Sequence, residues 1–131
     1  MNDSKKILIV EDEPAILRAL VATFKAEGFE TFSATNGEEG LRVGKEAKPD
    51  LIILDIVMPV MDGMAMLRRI REDAGEWGKR VKALIYSNLS YNEKREEASR
   101  IGVTNFLIKA NGPLAELVKK VREELAMGSL V

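Results

Sequence analysis

The sequence predicts an α/β fold in which helices cover both faces of a parallel sheet. Three observations carry this. Residues 51–54, Leu-Ile-Ile-Leu, run without a polar break between Asp50 and Asp55, as in a strand buried on both faces. Strand-like and helix-like segments alternate five times along the chain. Several candidate strands also end on a polar residue, and the carboxyl ends of strands are where open α/β sheets keep their sites.

The elements follow in order. Residues 5–10 form the first strand, with Glu11, Asp12 and Glu13 at its end. Pro14 suits the first turn of a helix, where its missing N–H costs nothing. Ile16, Leu17, Leu20, Val21 and Phe24 recur at helical spacing up to Gly28, a natural stop. Residues 29–34 alternate weakly and read as an edge strand. Asn36 can cap a helix over 37–47, and Gly40 and Gly44 each cost that helix about 1 kcal/mol against alanine. It is expected to be the less stable of the early helices. The third strand ends at Asp55. A third helix starts around Met61-Asp62-Gly63, with Met64, Leu67 and Ile70 as its apolar stripe. Residues 72–79 are polar, hold two glycines and read as a loop. Residues 81–86 form the fourth strand, ending on Ser87 and Asn88. Residues 92–101 form a helix that is almost all charge, with Ala98 and Ile101 as its main apolar contacts, so it is expected to be held loosely. The fifth strand, 104–108, ends on Lys109. Leu114, Leu117, Val118, Val121 and Leu125 mark the last amphipathic helix, and residues 127–131 a tail.

The totals narrow the function. A chain of 131 residues is long enough for one domain with a core, and residues 1–131 are expected to be that domain, with no output domain. Net charge is −1 with scattered basic residues, which argues against direct nucleic-acid binding. Cysteine and histidine are absent, which removes disulfides, thiolate chemistry, the commonest general base and the usual zinc ligand. No apolar run is long enough to span a bilayer and no signal peptide opens the chain, so a cytoplasmic location is expected.

All strand ends lie on one rim in such a sheet. Glu11, Asp12 and Asp55 then meet Ser87 and Lys109. Three neighbouring carboxylates repel one another, and a divalent cation relieves that. Mg²⁺ fits best, since it prefers oxygen ligands and works beside phosphates. Asp55, central among them, is the natural nucleophile for a phosphoryl group. Lys109 can pair with phosphoryl oxygens and Ser87 can donate to another. Each residue alone has a plainer reading. Glu11 and Asp12 could be a solvated strand end, Lys109 a surface lysine, Ser87 a loop hydroxyl and Phe106 a core aromatic. The methionines at 58, 61, 64 and 66 read as core filling. The charged run 93–100 reads as a solvated face or a partner surface.

The stretches Ile-Val-Glu11-Asp12-Glu13-Pro14, Leu54-Asp55-Ile-Val-Met58-Pro59-Val-Met61-Asp62-Gly63, Tyr86-Ser87 and Phe106-Leu-Ile-Lys109 together resemble the response-regulator receiver domains of two-component signalling. The likeness covers nearly the whole chain. It implies a flavodoxin-like fold, strand order 2-1-3-4-5 with five helices, and phosphorylation on Asp55 by a histidine kinase or histidine phosphotransfer protein. It implies Mg²⁺ held by Asp12, Asp55 and the backbone carbonyl of Val57, with Glu11 acting through water. Ser87 stands at the family's hydroxyl switch position and Phe106 at its aromatic switch position. The implied output is a changed surface on the fourth helix, fifth strand and fifth helix, read by a downstream protein target, in a monomer or a phosphorylation-dependent dimer.

Three residues depart from the family pattern. Ala110 stands where proline with a cis bond is usual; a non-proline cis bond costs about 2.5–4 kcal/mol, so either a trans bond with a shifted loop or a strained cis bond is expected. Asn88 replaces a smaller residue beside the phosphoryl site. Phe106 has no hydroxyl, so its states differ by packing alone. Two rivals remain: a phosphorylation-independent interaction scaffold, and a Mg²⁺-dependent phosphohydrolase. Against the second, the place of its acid/base carboxylate, two residues after Asp55, holds Val57.

Overall fold

Alternate residues of the central strands feed two separate cores, which is why those strands carry no polar break. Leu8, Val10, Ile52, Leu54, Ala83 and Ile85 face one side, and Ile7, Ile9, Leu51, Ile53, Leu84 and Tyr86 the other. The computed structural model describes residues 4–88 and 91–127, with side chains at all of these except 91–95 and 111. Five strands form the sheet: β1 (Lys6–Val10), β2 (Glu30–Ala34), β3 (Leu51–Leu54), β4 (Lys82–Ser87) and β5 (Val103–Ile108). Every pairing is parallel and the order is β2-β1-β3-β4-β5, the flavodoxin-like arrangement. β2 is the edge strand that its weak alternation predicts.

Helices α1 (Pro14–Ala26), α2 (Gly37–Ala47), α3 (Gly63–Asp73), α4 (Gly75–Arg80), α5 (Tyr91–Arg100) and α6 (Leu114–Ala126) cover the sheet. Leu20 and Phe24 of α1 join Leu117, Val118 and Val121 of α6 on one face. Leu41 of α2, Met64, Met66, Leu67 and Ile70 of α3 and Ala98 of α5 fill the other. Met58 is buried too and Met61 packs against that core, so the methionines are core residues, as expected. Burying one such side chain contributes about 1.5–3 kcal/mol, which outweighs the modest helix propensities of these short segments.

The helix starts are set locally. Asn36 Oδ1 accepts the Glu39 N–H at 2.9 Å, and Asp62 Oδ1 accepts the Ala65 N–H at 2.8 Å. In α2, a Cβ at Gly40 would lie 2.5 Å from Met66 Sδ and 3.1 Å from Val10 Cγ2. The glycine that reads as a weak point in the sequence is where α2 packs closest on α3 and β1.

One expected loop is a helix. Residues 72–79 read as irregular in the sequence; α4 occupies most of them, so among the described residues the sheet carries six helices rather than five. Side-chain bonds from and to residues outside the helix hold α4 where propensity does not. Trp77 Nε1 donates to the Pro49 carbonyl at 2.8 Å, and Arg71 Nη1 donates to the carbonyls of Gly78 and Val81 at 2.9 and 2.7 Å. The charged helix predicted fourth is therefore α5 and the last is α6. Ala98 and Ile101 are the apolar anchors of α5, as predicted. Of the charged run, Glu93, Lys94 and Arg95 have side chains outside the described residues, as does the end of the tail, 128–131. The Lys109–Ala110 bond is trans, and Lys109–Asn111 forms a single 3-10 turn. The bond is thus trans, as in the first of the two expected alternatives, and not the strained cis bond of the second.

Candidate functional site

The sheet register brings the predicted residues to one rim. Val10 pairs with Leu54, so Glu11 and Asp55 follow side by side. The ladder runs one residue further than the strands: Asp55 N–H donates to the Val10 carbonyl at 3.1 Å and Glu11 N–H to the Ala34 carbonyl at 3.0 Å. Ser87 closes β4 opposite Ile108, the residue before Lys109. Ser87 is buried, and Asn88 after it is exposed.

The carboxylates of Glu11, Asp12 and Asp55 can each place an oxygen within 4.8 Å of the others. Lys109 enters this group from the turn that follows β5. Its Nζ lies 2.6 Å from Glu11 Oε1 and 2.7 Å from Asp55 Oδ2. The Lys109 side chain is 8% exposed, that of Glu11 2% and that of Asp55 10%, so solvent screens these contacts little. Glu11 also accepts the Glu13 N–H at 3.1 Å. Burial pushes the Glu11 carboxyl above its ordinary value, against the pull of Lys109. For Lys109, burial pulls downward, but hydrogen bonds to Asp55 and Glu11 outweigh it and leave the ammonium harder to deprotonate than usual. Both directions hold together because two carboxylates share one ammonium. Burial also raises the neighbouring Tyr86 phenol.

The loop after β3 is fixed by backbone contacts that residue types alone did not disclose. A Cβ at Gly63 would lie 2.0 Å from the Asp55 carbonyl oxygen, so only glycine fits there. Gly63 N–H donates to the Ile56 carbonyl at 2.9 Å, and Gly37 N–H to the Met61 carbonyl at 2.8 Å. Met61 N–H reaches back to the Pro59 carbonyl at 2.7 Å, closing a tight turn around Val60. Val60 takes φ +69°, a left-handed conformation that β-branched residues rarely adopt. The Asp62-Gly63 pair in the sequence signals the helix start but not the close approach. Val57 lies in this loop with its side chain 60% exposed.

Phe106 is half-buried on β5 and packs against the core shared by α2, α3 and α5. A groove of about 410 Å³ opens beside it, with Ala98 and Ser99 of α5 among its lining.

The family model of the response regulator receiver domain matches residues 7–122. The chain belongs to that family. The transcriptional regulatory protein PrrA of Mycobacterium tuberculosis is 34% identical over 119 residues, covering 91% of this chain and 49% of PrrA. The receiver chain thus spans about half the length of the first curated relatives it matches. Among solved structures, the chemotaxis response regulator CheY4 of Vibrio cholerae superimposes with a TM-score of 0.82 at 28% identity, covering 92% of this chain and 98% of that one. A CheX-CheY-BeF3-Mg²⁺ complex from Borrelia burgdorferi gives a TM-score of 0.82 at 27% identity, covering 92% and 89%. No helix among the described residues is long and apolar enough to cross a membrane.

Proposed function

We propose that this receiver domain is a phosphorylation-driven switch in which Asp55 accepts a phosphoryl group from a phosphohistidine on a sensor kinase or phosphotransfer protein. The observation that carries the reading is the pairing of Lys109 with both Asp55 and Glu11 beside Asp12. Nucleophile, metal-type oxygen donors and a counter-cation stand within contact of one another.

The donor set suits Mg²⁺: three carboxylates face one ammonium, and all three donors are hard oxygens. Asp12, Asp55 and the Val57 carbonyl would hold the ion, with Glu11 through water, and a bound ion would supply charge neutralisation for the incoming phosphoryl oxygens. The Borrelia CheX-CheY-BeF3-Mg²⁺ complex supports this choice.

In the transfer, an Asp55 carboxylate oxygen bonds to phosphorus as the P–N bond to the donor imidazole breaks. Lys109 leaves the carboxylates and pairs with a phosphoryl oxygen, and the Ser87 hydroxyl donates to another. Asn88, exposed at the mouth, meets the incoming donor. The phosphoryl group brings close to two negative charges into a site with little solvent screening. Movement of Ser87 leaves space that Phe106 fills by packing alone, and the surface of α5, β5 and α6 changes. The groove beside Phe106 gives that ring room to move. A differential stabilisation of a few kcal/mol suffices for a useful population shift.

Downstream, the partner is a protein target; the receiver makes no direct nucleic-acid or membrane contact and works in the cytoplasm, as a monomer or a phosphorylation-dependent dimer. It is a switch and not a turnover enzyme, since the position two residues after Asp55 is the apolar, exposed Val57.

Intact mass after incubation with acetyl phosphate tests the reading. The expected result is one phosphoryl adduct on the wild type, absent in Asp55→Asn and absent without Mg²⁺. No adduct under any of these conditions, nor with a kinase donor, would favour a phosphorylation-independent scaffold. Sustained release of phosphate from an ester with Mg²⁺ would favour the hydrolase.

A further inference from the structure

The rim opposite the phosphoryl site carries a second concentration of charge, of the other sign. A pocket of about 400 Å³ opens where β4 and β5 begin, between α4 and the end of α5. Arg71, Lys79, Arg80, Lys82 and Arg100 line it, and no carboxylate does among the described residues. The contrast with the groove along α2 is direct: there Arg42 and Lys45 share the lining with Glu38 and Glu39.

The cations of this pocket are only partly committed. Arg71 is half-buried and bonds to backbone alone. Its Nε donates to the Ile101 carbonyl at 2.8 Å, Nη1 to Gly78 and Val81 at 2.9 and 2.7 Å, and Nη2 to Gly102 at 3.3 Å. A guanidinium has about five N–H donors, so Nη2 retains one for a ligand. No carboxylate neutralises Arg71 among the described residues, and its burial makes the charged form less favourable than usual. Arg80 and Lys79 reach Glu76 at 3.5 and 3.7 Å, and Arg100 reaches Glu96 at 3.0 Å. These are exposed pairs that an incoming anion can replace at little cost. Lys82 is spent on the Glu124 backbone carbonyl, and the Thr104 hydroxyl on the Glu124 carboxylate.

We infer that this pocket binds a small polyanion bearing two or more phosphate groups. The cavity has the size of a small-molecule site. Its volume and its fork of planar donors suit bidentate recognition of phosphate oxygens. No aromatic side chain lines it among the described residues, so recognition is of the phosphates and not of a base. The site lies on α4, the end of α5 and the starts of β4 and β5. A ligand there grips the C-terminal end of α5.

Sodium tripolyphosphate titrated into the intact chain by calorimetry, in Mg²⁺-free buffer, tests this. Saturable binding is expected, weakened at least about tenfold in Arg80→Ala/Arg100→Ala and within about twofold of wild type in Arg42→Ala/Lys45→Ala, which removes the same charge elsewhere. Amide NMR of the wild type gives a readout independent of the variants' folding: shifts centred on Gly78, Ile101 and Gly102 are expected. No saturable binding, equal weakening in both variants, or shifts centred on Glu11 and Asp12 would overturn the proposal. Binding to vesicles of phosphatidic acid without binding to tripolyphosphate would overturn the free small-molecule source.

Discussion

The Lys109 ammonium lies 2.7 Å from the Asp55 carboxylate, with both side chains almost wholly shielded from water. The same ammonium serves Glu11 at 2.6 Å. One ammonium thus ties the carboxylate at the end of β1 to the one that follows β3.

Lys109→Ala therefore separates stability from function. Breaking a closed buried ion pair costs about 3–5 kcal/mol, and this site opens at its rim, so a loss of about 1–3 kcal/mol is expected. Chemical denaturation measures it. Mg²⁺ should recover part of the loss, because a cation that binds only the folded state stabilises it by mass action. Adduct formation from acetyl phosphate should be retained at a reduced rate, while the downstream conformational change is lost.

Gly63→Ala tests the close approach to the Asp55 carbonyl. A methyl group 2.0 Å from that oxygen has no room, and backbone must move. A loss of about 1–3 kcal/mol or more is expected, together with weaker Mg²⁺ binding, because the displaced carbonyl belongs to Asp55 itself. Gly28→Ala is the control. Gly28 has φ +95° but nothing within 4 Å of the added Cβ, so strain of about 1 kcal/mol is expected with Mg²⁺ affinity unchanged.

Val60→Asn should raise stability by about 0.5–1 kcal/mol in thermal or denaturant unfolding, since asparagine tolerates the left-handed conformation far better. Val60 is 75% exposed, so its loss sacrifices little burial.

The pH dependence follows from Glu11 and Lys109. Burial raises the Glu11 carboxyl above 4.5 in the folded state, so the fold prefers its protonated form. That contribution is present below 4.5 and is lost as pH climbs through the higher folded value. Lys109 is raised above 10.5 by its carboxylate partners, against desolvation, so its contribution is intact at neutral pH and is lost in strong alkali. Unfolding free energy measured from about pH 4 to about pH 8 should fall in the wild type and lie flatter in Glu11→Gln, which has no carboxyl to ionise.

What the sequence disclosed was periodicity and punctuation. The unbroken run before Asp55 requires two cores, and two cores require helices on both faces; the strand ends then converge without further information. Asn36 reads as a cap because capping is local, and the Asp62 cap falls where the sequence starts the third helix. α4 did not read as a helix, because Gly75 and Gly78 argue against one and the bonds that hold it come from outside it, from the Arg71 side chain of α3 and from the Pro49 carbonyl, far along the chain. Gly40 read as a cost because its benefit is a neighbour, Met66, that only packing supplies. The Lys109–Ala110 bond allowed two states in sequence, since the preference of the loop around it is tertiary. The basic rim was invisible for the same reason: Arg71, the cations of 79–82 and Arg100 lie in three separate stretches that the fold alone assembles.

The most direct measurement is reductive trapping of the acyl phosphate. The chain is incubated with acetyl phosphate and Mg²⁺, treated with borohydride, digested and mapped by mass spectrometry. An aspartyl phosphate is converted to homoserine at its own position. Homoserine at position 55 and at no other acidic residue is the expected result. Trapping at Asp12 or Glu11, or no trapping in a sample whose intact mass shows the adduct, would contradict Asp55 as the phosphoryl acceptor.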